Sequence, residues 1–134
     1  MNISEAARHS GLPAKTIRYY EQIALIKPAR RASNGYRDYD TGSLAELRFV
    51  HRSREVGFTV EECRALLEIY RDPSRESGHV KGLVLEKCEE IDARIQRLEH
   101  MREVLLQLAR RCRGDEGPDC AILDQLVMEG AGDE

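Results

Sequence analysis

Between residues 84 and 112, apolar side chains recur every seven positions. Val84, Ile91, Leu98, Leu105 and Cys112 form one seam, and Cys88, Ile95, Arg102 and Ala109 fill the alternate position, with Arg102 as the one polar break. No proline interrupts residues 78–111, and Gly82 lies near the start. The pattern predicts one long helix, roughly 50 Å at 1.5 Å per residue. Its narrow stripe is that of a two-helix coiled coil. A single small domain cannot cover such a stripe, so the periodicity predicts a homodimer.

Upstream, the periodic segments are short. Ile3, Ala6 and Ala7 share one face of a helix over residues 3–10 that ends at Gly11. Leu12-Pro13 turns the chain into a second helix, Ala14 to Glu21, with Pro13 in its first turn, where a missing N–H costs nothing. Two helices around a tight glycine-containing turn make a helix-turn-helix. Pro28 stops further helix, and Asn34-Gly35 predicts a hairpin in which both positions tolerate positive φ. The arginines and tyrosines flanking it make a basic, aromatic wing.

A helix from Thr41 to Val56 turns Leu44, Leu47, Phe49 and Val50 inward. Thr59 with Glu62 three residues on forms a capping box. That box opens a helix through Cys63, Leu66, Leu67 and Ile69, which Asp72-Pro73 ends. Gly114 marks the end of the long helix, and Ala121 to Leu126 reads as a short one.

The expected architecture is all-α with a small β wing. A winged helix-turn-helix head occupies 1–70, a linker 71–78, the dimerisation helix 79–111, a loop with a short helix 112–128 and a frayed acidic tail 129–134.

Charge sharpens this picture. The net charge is −3, but residues 1–58 hold ten Lys and Arg against six Asp and Glu, and the remainder holds eleven against eighteen. A basic head on an acidic body points to nucleic acid at one end. Lys15, Arg18 and Tyr20 lie where a recognition helix enters a major groove. Tyr36 and Arg37 on the wing grip backbone, and Arg31 and Arg54 extend the phosphate contacts. Tyr19 and Tyr39 are left open, because one face of each element must pack inward. The 34% charged residues suit long exposed helices. With no apolar run of membrane-spanning length and no signal-peptide pattern, the expectation is a soluble, cytoplasmic protein without a membrane partner.

Four cysteines in a reducing compartment argue against structural disulfides. Cys63 and Cys88 read as small buried hydrophobes. Cys112 and Cys120 differ. They bracket the polar segment 113–119, and Cys120 stands beside Pro118 and Asp119. Thiolates are soft ligands, and two facing each other across a loop make a two-coordinate site that suits a monovalent coinage ion. Zn²⁺ ordinarily takes four ligands, and only His79, Asp119 and the more distant His100 are candidates to add one. A reversible disulfide is the competing use of the pair. An iron–sulfur cluster needs about four cysteines. The chain has no Cys-x-x-Cys motif, phosphate loop or triad, so we expect no enzyme.

Ile3-Ser4-Glu5-Ala6-Ala7, Thr16-Ile17-Arg18-Tyr19-Tyr20-Glu21 and Asn34-Gly35-Tyr36-Arg37-Asp38-Tyr39, in this order, resemble the signature of MerR-type transcription regulators. Within that family, Asp72-Pro73, Ser77, Leu85-Glu86-Lys87 and the Cys112…Cys120 pair look most like the branch that controls copper efflux. Arg113 replaces a proline common there. The resemblance implies an antiparallel dimer on a pseudo-palindromic operator in promoter DNA. The DNA would be bent and undertwisted so that RNA polymerase can engage it, with Cu(I), Ag(I) or Au(I) as effector at Cys112 and Cys120. It also implies that Ser77, standing where divalent-sensing relatives carry a cysteine, restricts the site to monovalent ions. Lys81 of the partner helix and the N-terminus of the short helix near Ala121 would balance the charge of the bis-thiolate.

Overall fold

The computed structural model describes residues 1–128; the tail expected over 129–134 lies outside them. Six helices and one two-stranded sheet follow in order among these residues. They are α1 (Ile3–Ser10), α2 (Ala14–Gln22), β1 (Arg30–Arg31), β2 (Arg37–Asp38), α3 (Thr41–Glu55), α4 (Val60–Arg71), α5 (Ser77–Arg111) and α6 (Ala121–Val127). The chain forms two compact units, one over Met1–Lys87 and one from Cys88 onward. No described helix is long and apolar enough to cross a membrane.

The first unit is built from short helices with strong ends. Asn2 caps α1 by accepting the Glu5 N–H, and the Glu5 carboxylate accepts the Asn2 N–H in return. Asp40 caps α3 and Thr59 caps α4, the latter with the reciprocal Glu62 bond that the sequence predicts. Pro13 sits one position earlier than expected, at the N-cap of α2, and its carbonyl accepts from Thr16 and Ile17. Gly11 closes α1 in the left-handed region at φ 82°. The positive φ demands glycine, and a Cβ there would also press on the His51 ring at 3.0 Å from Nε2.

α1 packs on α2 and α3, and α3 packs on α4. Between them lie Ala6, Ile17, Leu25, Ile26, Tyr39, Leu47, Val50, Cys63 and Leu67, all nearly inaccessible to solvent. Each large apolar side chain in such a position contributes about 1.5–3 kcal/mol. Of the predicted inward residues of α3, Leu44, Leu47 and Val50 are buried. Phe49 is only partly covered, its ring stacked on Tyr70 with centroids 5.3 Å apart.

Three arginines fasten helices by their carbonyl ends. Arg48 Nε donates to the His9 carbonyl, and Arg64 donates to the Ile23 and Ala24 carbonyls at 3.0 Å each. Arg71 pairs with Glu46 through two nitrogens at 2.6 and 3.0 Å and reaches the Leu25 carbonyl. Ala24, held at φ 59°, is the non-glycine residue with positive φ among the described residues. This strained position turns the chain so that Leu25 and Ile26 enter the core. Lys87, at the edge of this unit, is buried. It donates to Glu62 Oε1 at 2.8 Å and lies over the Phe58 ring.

The wing is smaller than a regular hairpin. Arg30 pairs with Asp38 and Arg31 with Arg37 in antiparallel register. The turn also departs from the expected one. Gly35 N donates to Ala32 O, Ala32 N donates to Tyr36 O, and only Gly35 of the Asn34-Gly35 pair has positive φ. This is a three-residue connection with glycine in the left-handed position, not a two-residue turn with both residues there.

In the second unit, α5 continues as one uninterrupted helix. Ile91, Ile95, Leu98 and Leu105 of the heptad seam are exposed on the single chain. Cys88, expected to be buried, is exposed with them. It stands on the same seam, and nothing among the described residues covers that stripe. The long helix begins at Ser77, two residues before the expected 79.

Candidate functional site

Two sites emerge, one in each unit. The first is a basic face. Arg18 of α2 lines a cleft of about 550 Å³ together with Arg31, Asn34, Tyr36 and Arg37 of the wing and Asn2, Ile3 and Ser4 from the start of α1. Four of the predicted residues therefore share one concavity. Lys15, one turn before Arg18 on α2, is exposed. Tyr36 is 72% exposed at the tip of the wing. Arg31 Nη1 donates to the Gly35 carbonyl at 2.8 Å, which stiffens the turn that presents Tyr36.

Tyr20 requires a correction. It is 6% exposed and belongs to the core cluster, so it is not available to a groove. Tyr19 is 51% exposed instead. On a helix, adjacent residues point about 100° apart, and Ile17 and Tyr20, three apart, must share the inward face. Arg54 is exposed but lies outside the cleft. Its guanidinium donates to the Phe58 carbonyl at 2.9 Å, closing the turn after α3.

Tyr39 is buried and acts within the fold. Its hydroxyl donates to Glu21 Oε2 at 2.9 Å, and burial together with that bond pushes its pKa far above the ordinary phenol value. Glu21 is itself buried. Its Oε2 also accepts the Ala29 N–H, and its Oε1 lies 3.0 Å from Arg37 Nε. Sequence reasoning missed Glu21, Asn2 and Ser4. The only local signal was an acidic residue directly after the Tyr19-Tyr20 pair in an otherwise basic stretch.

The second site is a thiol pair. Cys112 follows the last residue of α5, with its N–H donating to the Ala109 carbonyl, and Cys120 is the N-cap residue of α6. Their sulfurs lie 3.7 Å apart. The Leu123 N–H lowers the Cys120 thiol below its ordinary range, helped by Cys112 Sγ and the Ile122 N–H. None of these amides closes a capping hydrogen bond of regular geometry. The loop between the cysteines is tied locally. Asp115 Oδ1 accepts the Gly117 N–H, and Arg113 lies 3.4 Å from Asp115 Oδ2 and 3.8 Å from Asp119 Oδ2.

Among the described residues, no cluster of three or more His, Cys, Asp or Glu side chains gathers in a metal-binding arrangement. His79, at the far end of α5, lines a separate cleft with Glu76 and Asp72. Ser77 and Lys81 are exposed in the first turns of α5, and Cys112 follows its last residue.

Comparison with known proteins agrees with this layout. Residues 1–69 match the family described as MerR HTH family regulatory protein, and residues 44–108 match MerR, DNA binding. The chain is 51% identical over 126 residues to the HTH-type transcriptional regulator HmrR of Rhizobium leguminosarum bv. viciae, covering 94% of this chain and 97% of that one. It is 46% identical to the HTH-type transcriptional regulator CueR of Salmonella typhimurium, over 94% of this chain and 91% of that one. The fold is similar to that of the lead(II)-bound transcription regulator PbrR691 of Ralstonia metallidurans CH34. That similarity has a TM-score of 0.83 at 28% identity and covers 95% of this chain and 99% of that one. A basic winged head, a long helix with an open heptad seam and these matches lead to one conclusion: the chain belongs to the MerR family of helix-turn-helix transcription regulators, DNA-binding proteins rather than enzymes.

Proposed function

We propose that this protein is a metal-responsive transcription activator that senses a monovalent soft ion, Cu(I) or its congeners Ag(I) and Au(I), through Cys112 and Cys120. The observation that carries the reading is the approach of the two sulfurs to 3.7 Å with no third protein ligand gathered among the described residues. Two thiolates and nothing more suit a monovalent soft ion and leave Zn²⁺ short of its usual four ligands. The donor set fits in a second respect. Cys120 is biased toward thiolate by the first-turn amides of α6, and that helix end also favours the negative charge of a bis-thiolate unit. Bound there, the ion would cross-link the end of α5 to the start of α6.

The working unit in this reading is a homodimer. The exposed heptad seam needs a second copy to cover it. In this reading, as the family resemblance implies, Ser77 and Lys81 of the partner helix lie near the pair. In that position Ser77 withholds the extra thiolate that a divalent ion would take, and Lys81 offsets the bis-thiolate charge. Lys15, Arg18, Arg31, Tyr36 and Arg37 hold double-stranded promoter DNA, and the two heads of the dimer read two half-sites. Ordering of the Cys112–Cys120 loop then biases the dimer toward a form that distorts the promoter for RNA polymerase. A coupling of about 1–3 kcal/mol between the two sites is sufficient, and DNA distortion of a few kcal/mol is within reach of such contacts. The resemblance of the Cys112…Cys120 region to the copper-efflux branch, together with the matches to the transcriptional regulators HmrR and CueR, supports a regulator of copper efflux genes.

In-vitro transcription from the chain's own promoter, with buffered Cu(I), Ag(I), Au(I) and Zn²⁺, tests the reading. Activation by the three monovalent ions and not by Zn²⁺ is expected. Ser77→Cys should widen the response toward divalent ions, and an unchanged metal profile would refute the assigned role of Ser77. The short sulfur separation also favours one rival, a thiol redox switch. Under strictly anaerobic conditions the metal reading expects full Cu(I) response from the reduced protein. Activation only after oxidation would replace it.

A further inference from the structure

The carboxylate of Glu21 is buried in the last turn of α2, where the helix dipole and desolvation both disfavour a negative charge. Its two oxygens are used differently. Oε2 accepts from Tyr39 Oη at 2.9 Å and from Ala29 N at 3.0 Å, both neutral donors beyond the end of α2. Oε1 accepts no regular hydrogen bond and faces Arg37 Nε at 3.0 Å. The Arg37 side chain is one-third exposed and lines both the basic cleft with Arg18, Arg31 and Tyr36 and a smaller one with Arg18, Gln22 and Pro28. With Nε facing Glu21, the guanidinium still has donors on its other edges, and the side chain lines the cleft where a phosphate would sit.

The wing needs such a tie. Its strands are two residues each, and an isolated two-stranded hairpin is at best marginally stable in water. We propose that Glu21 is the positioning residue of the DNA-binding face. By gripping Arg37 through Nε, with Tyr39 and Ala29 fixing the carboxylate, it locks the wing to α2, so that Arg37 and Arg18 meet the DNA in one register. This rests on the DNA-face reading above. The tie works against raw electrostatics, because a carboxylate beside a phosphate-binding arginine lowers the positive charge that drives non-specific binding. Geometry and charge therefore predict opposite signs for its removal.

Glu21→Gln is nearly isosteric and keeps an acceptor for Tyr39 and Ala29 while removing the charge that holds Arg37. Affinity is measured on two probes, a duplex recovered with the wild-type full-length protein from a random-sequence pool and a scrambled duplex of equal length. Glu21→Gln should weaken binding to the recovered duplex by roughly tenfold or more, while binding to the scrambled one holds or tightens. Arg37→Lys keeps the charge and gives Glu21 an ammonium partner, but a point charge cannot hold the carboxylate and present a fork at once. It should show the same loss of discrimination.

Tightening of both probes alike by Glu21→Gln would mean that only charge matters and overturn the proposal. Equal weakening of both, with a lowered melting temperature, would reduce Glu21 to a structural role. If Glu21→Gln does not fold, Arg37→Lys decides, and wild-type discrimination in that variant overturns the proposal. A wild-type protein that recovers no preferred duplex removes the DNA-face reading itself, a result distinct from any behaviour of the variants.

Discussion

The DNA-binding head and the thiol loop are held in place by different means. In the head, each functional side chain stands on an element with several independent restraints. Arg18 lies on a helix whose other face is locked in the core by Ile17 and Tyr20, and Arg37 is tied to Glu21. Arg64 and Arg71 grip the turn that leaves α2. Among the described residues, the ties of the loop from Cys112 to Cys120 are local, an Asp115 turn and two long Arg113 pairs. It runs into a short helix whose Leu123, Leu126 and Val127 are exposed. A rigid face suits recognition, where register matters. A weakly held loop suits sensing, because a ligand can shift only an equilibrium that is not already decided.

Replacing either cysteine separates the two regions most sharply. Cys112→Ser or Cys120→Ser should reduce metal-dependent activation to background in run-off transcription while leaving operator binding in gel shift near wild type. Loss of DNA binding in either variant would mean that the pair holds the fold and that the two regions are not independent. Next in size is a contrast of two leucines. Leu67→Ala in the head core should cost about 2–5 kcal/mol of stability. Leu123→Ala in α6 should cost under about 0.5 kcal/mol, as exposed positions do. Denaturant unfolding measures both, and equal costs would show that α6 is as firmly packed as the head.

Arg18→Ala should weaken binding to operator DNA by about 1–3 kcal/mol and lower the slope of log affinity against log salt by about one. The metal response of whatever complex remains should be unaltered. The smallest expected effect concerns Glu62. The Lys87 ammonium, with the Thr59 N–H, holds its carboxyl below the ordinary carboxylate range. The unfolded chain therefore takes up this proton first as pH falls. The stability contributed by Glu62 is fully present above the ordinary carboxylate range and is lost as pH drops through the depressed folded value. Urea midpoints of wild type and Glu62→Gln should differ at neutral pH and converge in acid; a constant gap would assign the loss to packing.

Much of this organisation is written in local sequence. The heptads of α5, the Thr59…Glu62 box, the glycine that ends α1 and the basic head are short-range patterns, and each is set by backbone geometry or by charge that acts over a few residues. The cysteine pair is legible for the same reason, since seven intervening residues with Gly114 and Pro118 return the chain on itself. The facing of the wing onto α2 is not legible in this way. Whether Tyr19 or Tyr20 faces solvent, whether Arg54 faces outward or closes a turn, and whether Tyr39 reads DNA or anchors Glu21 all depend on which neighbours arrive from elsewhere in the chain. A tyrosine or an arginine is amphipathic, so its own chemistry permits either fate. Burial of Ile17 decides for α2, and the Glu21 carboxylate decides for Tyr39 and Arg37. Sequence alone thus determined the elements, the charge asymmetry and the two thiols. Only tertiary packing determined which polar side chains were left over to face a partner, because that choice is made by long-range contacts no local pattern encodes.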